Sequence, residues 1–92
     1  MNRGMQFEGA VIREQGQVFA VAIIKSGVAA TGQHALREAA SAFSRYFPGM
    51  PIVLMWQDGR GVPTYWGRRD IVKFLANLHI SQIPWHRYSV AA

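Results

Sequence analysis

Hydrophobic and polar positions change rhythm several times along the chain, and each rhythm predicts an element. Met1 to Met5 reads as a loose start. From Gln6 to Glu14 the residues alternate, with Phe7, Gly9 and Val11 on one side and Glu8, Ala10 and Ile12 on the other, which is the period of a strand. Gln15-Gly16 suits a tight turn, because glycine takes positive φ without a Cβ clash. Gln17 to Lys25 is apolar at nearly every position. A strand that is apolar on both faces wants both faces covered, so this segment is expected to be central and to pair with the first as a hairpin.

The rhythm then becomes helical. Ser26 to Gly32 reads as a loop, with Thr31 able to cap a helix through its hydroxyl. Leu36, Ala40, Phe43 and Phe47 recur at helical spacing and form one stripe, while Arg37, Glu38, Ser41 and Ser44 fall on the other side. Pro48-Gly49 ends the run. Ile52 to Trp56 is again apolar on both faces and predicts a second central strand, reached by a right-handed parallel crossover. Asp58-Gly59-Arg60-Gly61 is a turn signal. Pro63 lacks an N–H and makes Val62 to Trp66 a short edge strand. A second helix is expected from about Arg68 to Leu78, burying Ile71, Phe74, Leu75 and Leu78. His79 to Ile83 reads as a turn, and Trp85 to Val90 as a last short strand or a tail packed on the sheet.

These elements predict an α+β fold: a two-layer α/β sandwich, ββαββα, with a four-stranded mixed sheet in the order 1-2-3-4. Both helices would lie on one face, followed by a short C-terminal extension. Residues 1–92 form one small domain, within the usual size range. With both helices on one face, the apolar second face of the inner strands needs another cover. The expected covers are the C-terminal segment and a second copy of the chain across a two-fold axis, so a homodimer through the sheet face is predicted.

Composition narrows the chemistry. Half of the residues are hydrophobic and 16% are charged, which argues against disorder. No cysteine is present, which removes disulfides, thiolate catalysis and cysteine-based zinc sites. The N-terminal residues lack a signal-peptide pattern and no apolar stretch approaches membrane-spanning length, so a cytoplasmic protein is expected. The formal charge of +5 favours attraction to polyanions, or serves solubility. His34, His79 and His86 are widely separated and lack metal-site spacing, so no metal or other cofactor is expected. The acids Glu8, Glu14, Glu38, Asp58 and Asp70 offer no evident catalytic pair, and no G-x-S-x-G or phosphate-loop motif is present. A catalytic role is therefore not the expected one. Val62-Pro63-Thr64 with Gly67 and the following helix resembles a short part of the C-terminal half of glutaredoxin-like folds. The cysteine pair of that chemistry is absent, and the strand order expected here differs from that of those folds.

Candidate binding residues cluster in two segments. In Tyr65-Trp66-Gly67-Arg68-Arg69 a basic pair opens a helix, where positive charge opposes the helix dipole. Backbone N–H groups and guanidinium groups there could hold a phosphate or carboxylate, and Tyr65 or Trp66 could stack on a base. In a purely structural reading one aromatic packs in the core, the arginines are solvated or pair with Asp70 or Asp58, and Gly67 only eases a junction. Trp85-His86-Arg87-Tyr88 either extends the same aromatic and basic surface through Arg87 or closes the core through Trp85. Three functions fit this sequence: a non-catalytic interaction module with a protein partner, a nucleic-acid-binding domain using Tyr65, Trp66, Arg68, Arg69 and Arg87, and a small-anion site at Gly67 to Arg69.

Overall fold

A computed structural model describes residues 5–14 and 16–90 of the chain. Residues 1–4 of the expected loose start and Gln15 of the expected turn lie outside the described residues, while Met5, read as part of that start, already begins the first strand. Strands β1 (Met5–Glu14) and β2 (Gln17–Ile23) pair antiparallel, with Glu14 opposite Gln17 and Gly9 opposite Ala22. Helices α1 (Ser26–Thr31) and α2 (Gln33–Ser44) lead to β3 (Ile52–Gln57), which lies parallel to β2 with Val21 opposite Val53. Then follow β4 (Pro63–Trp66), antiparallel to β3, α3 (Arg69–Ala76) and a 3-10 turn at Ile80–Gln82. The last element is β5 (His86–Val90), antiparallel to β1 with Phe7 opposite Tyr88.

The sheet therefore has five strands in the order β4-β3-β2-β1-β5, and the element order is ββααββαβ. This corrects the expected four-stranded ββαββα sandwich. The first four strands are neighbours in the order read from their hydrophobicity, and the expected C-terminal extension is a fifth strand on the outer side of β1. Trp85 to Tyr88 has strand-like alternation, but its pairing partner lies at the other end of the chain, so no local turn announces the register.

The helices do not share a face. Leu36, Ala40, Phe43 and Phe47 pack on the side of the sheet that carries Phe7, Ala20, Ala22, Ile52 and Leu54. Ile71, Leu75 and Ile83 pack on the other side, against Ala10, Ile12, Phe19, Val21, Val53 and Met55. The molecule is three layers, not two, and the reason is topological. Because β4 and β5 are opposite edges, the connection through α3 and the 3-10 turn must cross the whole sheet. One face is already taken by α2, so α3 crosses the other. The double-sided hydrophobicity of β2 and β3 is thus satisfied within one chain. Ala20, Val21, Ala22, Val53, Leu54 and Met55 are all fully buried without a second copy on either face.

A smaller correction concerns Ser26 to Gly32, read as a loop. It is α1, a single short helix ended by Gly32, whose φ of 124° and ψ of −174° break the ladder and start α2 in a new direction. The Thr31 hydroxyl donates to the Gly27 carbonyl at 3.0 Å and so closes its own turn of α1, leaving Gly32 as the residue that begins α2.

Candidate functional site

β4 is short, and its last residues serve both faces. Tyr65 lies opposite Met55 and packs with the α3 cluster, whereas Trp66 lies opposite Leu54 and packs with the α2 cluster. The Trp66 indole N–H donates to Gln33 Oε1 at 2.9 Å, tying the edge strand to the start of α2. The Tyr65 hydroxyl is enclosed and has no hydrogen-bond partner among the described residues. Burial pushes its pKa up from the ordinary phenol value.

Gly67 follows because the chain passes close to β3. A Cβ there would meet Val53 Cγ2 at 3.0 Å and the Ile52 carbonyl at 3.1 Å. Beyond it the chain turns into α3 with Arg68 at the cap position. The Arg68 guanidinium grips Asp70 through two bonds, Nε to Oδ1 at 2.9 Å and an Nη to Oδ2 at 2.6 Å, and also donates to Gln17 Oε1 at 3.0 Å. The hydrogen bond from Arg68 pulls the Asp70 pKa down to about 2, aided by the Ile71 N–H, and Asp70 in turn raises that of Arg68. The charge that opposes the dipole is therefore answered by the chain's own carboxylate. The cleft beside it holds only about 60 Å³ and is lined by Glu14 and Asp70, which would repel an added anion. Arg69 makes no ion pair among the described residues and shares its side of α3 with Lys73, one turn on.

Arg87 is elsewhere. It lies on β5, opposite Glu8 of β1, with an ion-pair distance of 3.7 Å. Four strand spacings separate β5 from β4, roughly 19 Å at the usual interstrand distance. Thus Arg68 and Arg69 stand together, Tyr65 and Trp66 point to opposite faces, and Arg87 occupies the far edge. Trp85 closes the core on the α3 side, its indole N–H donating to the Ile80 carbonyl at 3.0 Å.

The larger concavity is at the other end of β4. A groove of about 430 Å³ runs between the β3–β4 turn (Arg60, Gly61, Val62, Pro63) and the C-terminal end of α3 with its following turn (Leu75, Leu78, His79, Ile80), and Tyr65 contributes to its wall. Asp58 shapes one bank: its Oδ1 accepts from the N–H groups of Arg60 and Val62 at 2.8 and 3.0 Å. The other bank is held by His79, whose ring accepts from the Ser81 N–H while Gln82 Oε1 accepts from the His79 N–H. Val62 is 53% exposed beside this groove. None of these groove residues but Tyr65 is among the candidates read from the sequence. Val62 was readable only as part of the edge strand; the strand begins one residue later, at Pro63, which leaves Val62 facing solvent.

No three metal-ligating side chains come together among the described residues. No helix there is long and apolar enough to cross a membrane. Compared with protein-family models, with curated proteins and with solved structures, the chain finds no match.

Proposed function

We propose that the protein is a small non-catalytic interaction module that holds an apolar, acid-flanked segment of a protein partner in the groove between the β3–β4 turn and the end of α3. The observation that carries this reading is the groove itself, a concavity of about 430 Å³ with Val62, Leu78 and Ile80 along it and Arg60 and His79 at its rim. Apolar concavities with a few placed polar groups are the usual form of a binding site. A net charge of +5 and the Arg60 guanidinium at the rim select for acidic flanks on the segment. Asp70, the residue best placed to act as an acid near the α3 start, is held ionised by Arg68 and has no proton to give near neutral pH.

The test is a titration of isotopically labelled protein with two short peptides, one with leucine between glutamates and one with leucine between lysines, followed by amide chemical shifts. Binding of the acidic peptide with shifts at Gly61, Val62, Leu78 and Ile80, lost in Val62→Asp, is the expected result. Shifts elsewhere, or none, would reject the reading. The nucleic-acid reading needs one surface shared by Tyr65, Trp66, Arg68, Arg69 and Arg87. Those residues lie on two faces and two edges, and no observation favours it. A mixed-sequence oligonucleotide in the same titration addresses what remains of it, the Arg69 and Lys73 side of α3.

A further inference from the structure

The two edges of the sheet are built differently. β4 is four residues long and begins with Pro63, which has no N–H to offer a new strand. Edges are commonly protected by shortness, proline or charge. β5 has five residues, His86–Val90, with neither proline nor glycine. Its arginine stands opposite Glu8, with the ion-pair atoms 3.7 Å apart. β5 pairs with β1 on one side and, among the described residues, has no strand on the other.

We infer that β5 pairs antiparallel with β5 of a second copy, about a two-fold axis at Tyr88, so that two five-stranded sheets become one continuous sheet. This register is self-complementary. It sets Tyr88 opposite Tyr88, Arg87 opposite Ser89 of the second copy, and His86 opposite Val90, so no like charges meet directly across the strands. The axis stands perpendicular to the sheet, which keeps the α2 faces of both copies on one side. There Tyr88 stacks on Phe7 with ring centroids 5.1 Å apart, and Tyr46 lies 5.9 Å from Phe7 while remaining 39% exposed. Pairing brings these aromatic edges from the two copies together and adds apolar contact to the new ladder. The surface is distinct from the sheet face, which α2 and α3 cover, and from the groove, which lies at the β4 edge, so neither reading depends on the other.

Ser89 supplies the test, because it is exposed and is the residue set against Arg87 across the axis. Sedimentation of the full chain from micromolar to near-millimolar concentration should show a species of twice the 10.3 kDa chain mass. Ser89→Arg places arginine against arginine twice and should weaken the dimer about tenfold. Ser89→Glu places carboxylates against the same arginines and should tighten it by about the same factor. Near-UV circular dichroism confirms that each variant is folded. If Ser89→Arg does not fold, the tightening by Ser89→Glu decides. A wild-type protein that stays at 10.3 kDa throughout, or a dimer that the two substitutions leave unchanged or move in the same direction, would overturn the inference.

Discussion

Tyr65 and Trp66 are adjacent in sequence and belong to different layers: Tyr65 packs under α3, and Trp66 reaches across the sheet edge to Gln33 at the start of α2. Their different hydrogen bonding gives a direct prediction. The Trp66 N–H is satisfied, whereas the Tyr65 hydroxyl is enclosed without a partner among the described residues. An unpaired buried polar group costs about 1 to 3 kcal/mol. Tyr65→Phe removes the group and keeps the ring, so it should leave stability unchanged or raise it by about 1 kcal/mol in urea unfolding. A loss of stability would mean that the hydroxyl has a partner. If the same variant also lost the acidic peptide, the hydroxyl would be a group kept for binding at the expense of stability.

The pairing of Arg68 with Asp70 predicts an acid transition. The folded-state pKa of Asp70 is depressed to about 2 from an ordinary value of 3.8. The folded state therefore holds the carboxylate ionised where the unfolded state takes up a proton. The contribution is present above about pH 4 and is lost as pH falls toward 2. Because the pair is exposed, the effect on overall stability is small. It should be resolved by comparing melting temperatures of the wild type and Asp70→Asn. The gap between them should narrow from pH 5 to pH 2; a gap that stays constant would show that Asp70 acts through something other than its charge.

Much of this fold is legible in the sequence, because local patterns carry it. The hairpin, the α2 stripe up to Phe43, the edge strand marked by Pro63 and the helix burying Ile71 and Leu75 all follow from spacing and breakers; Phe47, expected on the same helix, lies in the turn after it. What is not legible is the pairing of β5 with β1 and, through it, the side on which α3 lies. Spacing gives the face of a segment but not its partner, and an edge-to-edge crossing is a property of the whole sheet. The apolar second face of β2 and β3 is correctly read as needing cover; the cover is sought in the C-terminal segment and another copy, when α2 and α3 on opposite faces supply most of it and Trp85 packs beside α3. The candidate site follows the same division. Arg68 and Arg69 are placed together by sequence proximity, while Arg87 could be joined to them only by a register that spacing does not contain.

Gly9 tests how closely β1 approaches β2. It is a buried strand residue on the α2 side of β1, where a packed side chain would ordinarily be preferred. A Cβ at this position would lie 2.7 Å from the Val21 carbonyl oxygen and 3.5 Å from the rings of both Phe7 and Tyr88. The carbonyl belongs to the neighbouring strand and cannot rotate away as a side-chain tip could. The stacked rings of Phe7 and Tyr88 also close over the space that the missing Cβ leaves. Gly9→Ala should therefore destabilise the protein by about 1 to 3 kcal/mol, the range of an overpacked core position, despite alanine's lower conformational entropy in the unfolded chain. Gly59→Ala is the control, since nothing lies within 4 Å of a Cβ there. Urea unfolding of the two variants separates the cases. A Gly9→Ala protein as stable as the Gly59→Ala control would mean that β1 does not approach β2 this closely.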